Sequence, residues 1–215
     1  MTYDIVVVGT GSAGLAAAIS AAENGAKTLM IEKNPALGGT TGWSVGSITT
    51  SASPHQRAMD VYDTPDDHFR DMELFHTERL HGRDNLKLRR LLVDHTPPTF
   101  DWLLSLGLVF YGPMPEPPHG QPRMHNILPN SRMFIHHLSK RARKLGVDIR
   151  ISAPMEDLIV EDRRVTGVVV DGERISADKG VILAAGDFSA NPALKQRYMP
   201  PEVARIGPFN ETSTG

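Results

Sequence analysis

The chain has 215 residues, enough to bury a sizeable core, with charged residues at 22%, aromatic residues at 6% and a formal net charge of −2. This balance supplies neither the basic surface that nucleic acid or anionic lipid requires nor enough rings for a base-stacking platform. Cysteine is absent, which excludes disulfides, thiolate catalysis, iron–sulfur ligation and thiolate zinc sites, so redox chemistry here must belong to a bound cofactor.

Met1–Asp4 lacks the basic start of an export signal, and no stretch reaches the roughly 20 apolar residues that span a bilayer. The expectation is a cytoplasmic protein with no membrane segment. The chain then opens on its strongest signal. Tyr3-Asp4-Ile5-Val6-Val7-Val8 reads as a strand buried on both faces of a parallel sheet. It runs into Gly9-Thr10-Gly11-Ser12-Ala13-Gly14, a G-x-G-x-x-G, followed by an alanine-rich helix from Leu15 to Asn24 that Gly25 closes. Lys27–Ile31 is a second strand, ending on Glu32.

Each residue type has a reason at that spacing. Gly9 permits the tight turn, Gly11 lets the backbone approach a pyrophosphate, and Gly14 lets helix and strand pack closely. The helix start, at Ser12 and Ala13, offers free N–H groups and a partial positive charge to phosphates. Glu32 stands near the expected separation of about 20 residues, where a carboxylate accepts ribose hydroxyls and disfavours a 2′-phosphate. The fingerprint alone does not separate FAD from NAD. The next segment, Lys33 through Gly38, Gly39, Thr40, Thr41 and Gly42, is a second glycine-rich stretch where a simple NAD domain would normally re-enter a helix. It suits a loop wrapping the far phosphate and running under a flavin, although glycine and threonine also cluster in plain turns.

Residues 49–130 read as a helical insertion ending in a proline-rich loop. Thr64-Pro65-Asp66-Asp67 starts a helix that Met72, Phe75, Glu78 and Arg79 continue to about His81. A second helix carries Leu86, Leu88, Leu91, Leu92 and Val93 and is expected to stop before Pro97-Pro98, and a third runs from Pro98 to Leu106. Tyr111–Asn130 is rich in proline and polar residues, either a linker or a functional loop. Ser131–Leu145 is a helix with Ile135, Leu138, Ala142 and Leu145 on one face. His136 and His137 diverge by about 100° on it, so no metal site is expected. Val147–Ile151 is a strand, Glu156–Glu161 and Val165–Val170 pair across Asp162-Arg163-Arg164, and Asp171-Gly172 turns into Arg174–Ser176. Val181–Ala185 returns to the parallel sheet. The fold class is therefore α/β: a Rossmann-like domain with a parallel sheet, a small antiparallel β-meander and a helical insertion, residues 1–48 and 131–215 forming the nucleotide-binding core.

With G-T-G-S-A-G, I-E-K and L-G-G-T-T-G in hand, the chain resembles the flavoproteins that include fumarate reductases, succinate dehydrogenases, 3-ketosteroid dehydrogenases and L-aspartate oxidases. Val181–Asn191 is similar to that group's strand ending A-T-G-G-F-x-x-N, and Asn210–Gly215 to the opening of its N-x-x-x-T-G-D-G. The resemblance implies FAD and hydride transfer at a carbon–carbon bond of a small-molecule substrate. It places Gly38, Gly39, Thr40, Thr41, Ser44 and Gly46 in the flavin loop, Pro154-Met155 at the adenine, and Ala184, Ala185 and Gly186 beside the cofactor. It makes Arg123 and His125 candidates for substrate or flavin contact. Asp187 replaces the group's second glycine, and Thr40 stands where succinate dehydrogenases attach flavin to histidine, so the FAD is expected to be non-covalent. The group's capping domain and last flavin segment would lie beyond Gly215, which points to a second polypeptide, hence a hetero-oligomer, or to missing sequence; no catalytic acid or base is assigned. The alternatives are a flavin-binding module without turnover, or an FAD oxidase or hydroxylase built on the same nucleotide-binding unit.

Overall fold

The computed structural model describes residues 2–75, 77 and 82–215. They form two compact units, Met1–Ser44 with Phe134–Gly215, and Val45–Met133.

Strand β1 (Thr2–Val8) leads into helix α1 (Ser12–Glu23), and the chain returns in β2 (Thr28–Ile31). The helix ends where Asn24 folds its side-chain amide back onto the Ser20 carbonyl at 2.8 Å and Gly25 adopts φ +79°. A short 3₁₀ turn, Gly39–Trp43, occupies the second glycine-rich stretch.

The second unit begins with β3 (Ser47–Thr49), α2 (Pro54–Ala58) and α3 (Pro65–Asp71), which a 3₁₀ turn extends over Met72–Phe75. The Thr64 hydroxyl caps α3 by accepting the Asp67 N–H at 3.1 Å, as the Thr-Pro-Asp-Asp start leads one to expect. The expected continuation through Glu78 and Arg79 to His81 lies outside the described residues. Helix α4 (Leu86–Ser105) corrects the sequence reading: it runs unbroken through Pro97 and Pro98, where two helices were expected. Its buried positions Arg89, Val93, Phe100 and Leu103 form one stripe on both sides of the prolines, so burial of that face outweighs the helix-breaking effect of the lost N–H groups. The Thr96 hydroxyl donates to the Leu92 carbonyl just before them.

A further correction falls on Tyr111–Asn130. Much of this stretch is sheet: β4 (Val109–Met114) and β5 (Met124–Leu128) pair antiparallel, with β3 on the far side of β5. Of the prolines and polar residues that suggest a loop, Pro113 falls within β4, in the register shift between Tyr111 and Met114, where no ladder N–H is required of it.

Helix α5 (Arg132–Lys144) returns the chain to the first unit, burying Phe134, Leu138 and Ala142. Strands β6 (Asp148–Arg150), β7 (Met155–Glu161), β8 (Arg164–Val170) and β9 (Glu173–Leu183) follow, then the short helices α6 (Pro192–Tyr198) and α7 (Pro201–Ala204). Asp162-Arg163 and Asp171-Gly172 all take positive φ, the two-residue hairpin geometry that matches strand twist. The two stretches expected as separate strands, Arg174–Ser176 and Val181–Ala185, are one. β9 pairs antiparallel with β8 in its first half and parallel with β1 in its second, bulging at Gly180 (φ +151°) opposite Tyr3 and Ile5. The meander and the parallel sheet are thereby a single six-stranded sheet, β6-β2-β1-β9-β8-β7, with Val6, Leu29, Ile31, Val168, Ile175 and Ala177 in its core.

Candidate functional site

A cleft opens at the carboxyl ends of β1, β2 and β9, the place where open α/β sheets bind ligands. Val8 and Ile31 floor it, and the chain leaves it through Gly9–Ala13, Glu32–Asn34 and Ala184–Asp187.

The glycines divide by cause. A Cβ on Gly9 would stand 2.4 Å from the Ala184 carbonyl oxygen, at φ +99°, and one on Gly14 would stand 2.1 Å from the Gly9 carbonyl oxygen. Strand–helix packing forbids side chains at both. Gly11 differs: its φ is −64°, and a Cβ there would meet nothing nearer than the Thr41 hydroxyl at 3.5 Å. The protein itself tolerates a side chain at Gly11, so the need for glycine comes from the cleft it faces. Helix α1 has no side-chain cap and no acid in its first turn, leaving an N-terminus suited to an anion. The exception is the Ser12 N–H, which donates to Thr41 Oγ1 at 3.1 Å.

At the end of β2, Glu32 is buried with both carboxylate oxygens engaged. Oε2 accepts the Thr10 N–H at 3.1 Å and the Thr10 hydroxyl at 2.6 Å, and Oε1 accepts the Asn34 N–H at 3.0 Å and side-chain amide at 2.9 Å. Beside it, Lys33 is the cleft's one cation among the described residues, and its ammonium donates to the Thr214 hydroxyl. Ala153, Pro154 and Met155 complete this end.

The glycine-rich loop and the last residues of the chain meet on the other wall. Thr40 Oγ1 accepts the Asn210 side-chain amide at 3.0 Å and shares a hydrogen bond with Ser213 Oγ at 3.1 Å. Asp187 accepts the Ser189 N–H at 2.7 Å; bonds from Ser189, its side chain first, hold the Asp187 carboxyl below the usual carboxylate range. Glycine is therefore not required at this position, because an acid there is absorbed by its own turn.

Of the residues singled out in the sequence, Gly9, Gly11, Ser12, Ala13, Glu32 and Lys33 line the cleft. So do Gly39, Thr40, Thr41, Met155, Ala184, Ala185 and Gly186. Gly14 and Gly38 stand behind the lining, Gly38 against the Ile135 side chain. Ser44 closes the 3₁₀ turn, its N–H on the Thr40 carbonyl and its hydroxyl on that of Thr41. Gly46 belongs to the second unit, where its carbonyl accepts the Ile127 N–H and a Cβ would strike the Ile127 side chain at 2.5 Å. Thr10, Asn34 and Asn210 were missed. Thr10 occupies a free position of the fingerprint, and the other two sit in turns where polar residues are ordinary; only the hydrogen bonds distinguish them.

Arg123 and His125, the two substrate candidates, are interior residues of the second unit, each 0% exposed. The Arg123 guanidinium forms a two-pronged pair with Asp63, both contacts at 2.7 Å, and a third contact with Asp71 at 2.6 Å. His125 places Nδ1 on the Arg123 carbonyl at 2.7 Å and Nε2 on the Ser53 hydroxyl at 2.9 Å. Each side-chain nitrogen of both residues has a protein partner, so the structure gives Arg123 and His125 interior packing roles, where the expectation had them at a substrate or flavin.

A known family, described as the FAD binding domain, matches residues 4–215, a span that takes in this cleft with its side-chain-free helix start, buried acid and second glycine loop. The chain belongs to that family. FAD is its cofactor, and Gly11, at the start of α1 on the cleft wall, leaves room for it. NADH:fumarate oxidoreductase from Klebsiella pneumoniae (strain 342) is 31% identical over 209 residues, covering 93% of this chain and 22% of that protein. The solved open conformation of a flavocytochrome c3 fumarate reductase superposes with a TM-score of 0.90 at 27% identity, over 99% of this chain and 38% of that one. A 3-ketosteroid-Δ4-(5α)-dehydrogenase from Rhodococcus jostii RHA1 gives a TM-score of 0.84 at 25% identity, over 99% and 52%. The expected fold, a flavin-binding α/β domain with a meander, is the fold these FAD binding domains share. The chain spans between 22% and 52% of the length of these three proteins.

Proposed function

We propose that this FAD binding domain is the flavin-holding part of an oxidoreductase that moves a hydride at a carbon–carbon bond of a small molecule, completed by a second polypeptide or by further sequence that carries the capping portion. The names of its relatives favour activated alkenes or their saturated partners, since fumarate and 3-ketosteroid enzymes stand among them. The observation that carries the reading is the cleft itself, with Glu32 at one end and the hydroxyl-rich Thr40–Ser213–Asn210 wall at the other.

In this reading the residues divide the work. The α1 N-terminus and the Gly11 backbone take the diphosphate, and Glu32 takes the adenosine ribose. Ala153–Met155 border the adenine, and Gly39–Thr41 with Ala184–Gly186 line the path toward the flavin. FAD, when bound, accepts or donates the hydride. The chain's own groups bind, orient and exclude water, and the acid–base and substrate-clamping groups that such chemistry needs come from the capping portion. Thr40 is hydrogen-bonded to Asn210 and Ser213 and no histidine precedes His55, so the flavin is held without a covalent bond.

Native mass spectrometry of the purified protein tests this. The expected species carries the mass of one FAD, released on denaturation, whether the capping portion arrives as a second chain or as further sequence. A flavin-free chain that takes up none on incubation with FAD would overturn the reading.

A further inference from the structure

The fingerprint assigns roles to its three glycines and to the acid at the end of β2, but none to Thr10. Yet Thr10 is fully buried, and its hydroxyl is used in both directions. It donates to Glu32 Oε2 at 2.6 Å and accepts the Gly38 N–H at 3.2 Å. It thereby joins the acid to the second glycine-rich loop. Asn34 holds the opposite oxygen through its backbone and its side chain. A carboxylate has about four acceptor positions, and here four protein donors address them. Two are backbone N–H groups, fixed by the fold; two, the Thr10 hydroxyl and the Asn34 amide, can turn on their side-chain bonds.

We propose that Thr10 and Asn34 are positioning residues for ribose recognition. The backbone pair fixes the plane of the Glu32 carboxylate. The rotatable pair holds its lone pairs in register and shares them with incoming ribose hydroxyls, while the Thr10–Gly38 bond ties that orientation to the loop. None of these donors is charged, so the carboxylate keeps its charge for the ligand, where a lysine or arginine partner would have neutralised it. The proposal rests on FAD occupying this cleft.

The test is a comparison of two ligands on the full chain, with any co-purifying partner and freed of flavin: FAD, and its analogue lacking the 2′- and 3′-hydroxyls of the adenosine ribose. Wild type is expected to prefer FAD. The ratio of the two affinities, read by quenching of flavin fluorescence, falls about tenfold in Thr10→Val, stays near wild type in Thr10→Ser, and falls severalfold in Asn34→Ala. A merely structural role would weaken both ligands alike and leave the ratio untouched, and that result in either Thr10→Val or Asn34→Ala overturns the proposal. Asn34→Ala, at a partly exposed position, decides the matter if Thr10→Val does not fold. Wild type binding both ligands equally would mean that Glu32 does not read the ribose. Wild type binding neither would remove the FAD reading, and this proposal with it.

Discussion

Glu32 in the first unit and Asp63 in the second are both buried carboxylates, and the chain satisfies them by opposite means. Glu32 is held by neutral donors from Thr10 and Asn34. Asp63 is gripped by the Arg123 guanidinium, with further bonds from the Gln56 amide at 2.9 Å and the Thr64 N–H at 3.1 Å. Around Arg123 the structure adds Asp71, and the imidazoles of His68 and His119 lie within electrostatic range. The first arrangement leaves an acid whose charge is available to a ligand; the second neutralises its acid and leaves nothing to bind.

The comparison can be broken most forcefully at Arg123. Arg123→Met leaves the Asp63 carboxylate buried without a counter-charge, and urea denaturation should show a loss of about 3–5 kcal/mol. Arg123→Lys should recover little of this, because an ammonium cannot reproduce the two-pronged contact. If Arg123→Met were as stable as wild type and lost only substrate turnover, the structural role assigned here would be wrong.

Acid should expose the same unit. Burial pushes His68 and His125 from 6.5 down to about 4, for His68 with added repulsion from the Arg123 guanidinium. The unfolded chain takes up these protons near pH 6.5 and the folded chain only near pH 4, so the unfolded state binds more protons in between. Stability is therefore complete above about pH 6.5 and falls as the pH drops toward 4, by at most about 3 kcal/mol per histidine. Unfolding midpoints measured across that window, with His68→Gln shallower than wild type, check the sign.

In the first unit the glycines sharpen the contrast between fold and site. Gly9→Ala combines positive φ with a Cβ 2.4 Å from a carbonyl oxygen, and should cost about 2 kcal/mol in thermal stability while abolishing flavin retention. Gly11→Ala meets no such obstacle, so its stability should stay within about 0.5 kcal/mol of wild type while FAD affinity drops at least tenfold. Equal destabilisation by the two substitutions would show that Gly11 serves packing as Gly9 does.

Much of the first unit was legible because its signals are local. Strand, glycines, helix and acid follow one another within Tyr3–Glu32, although Gly9 also packs against Ala184 far along the chain. The second unit was less so. Pro97 and Pro98 forecast a break that the buried Val93–Phe100 face overrides, and the prolines of 111–130 concealed strands whose partners lie at Ser47–Thr49 and Val109–Met114. The resemblance made Arg123 and His125 candidates for substrate or flavin contact, and nothing adjacent in the chain announces their partners Asp63, Asp71 and Ser53.

By itself, then, the order of residues determined the dinucleotide fingerprint, the acid at the end of β2 and the likeness to flavoproteins, since backbone conformation and helix termini are short-range properties. Tertiary structure alone decided that β9 is one strand joining meander to parallel sheet, that Thr10 and Asn34 hold Glu32, and that Arg123 is spent on two aspartates. Each of these depends on partners brought together across 22 to 60 residues of chain or on a neighbouring strand, or, for Asn34, on a turn whose hydrogen bonds its side chain leaves unannounced.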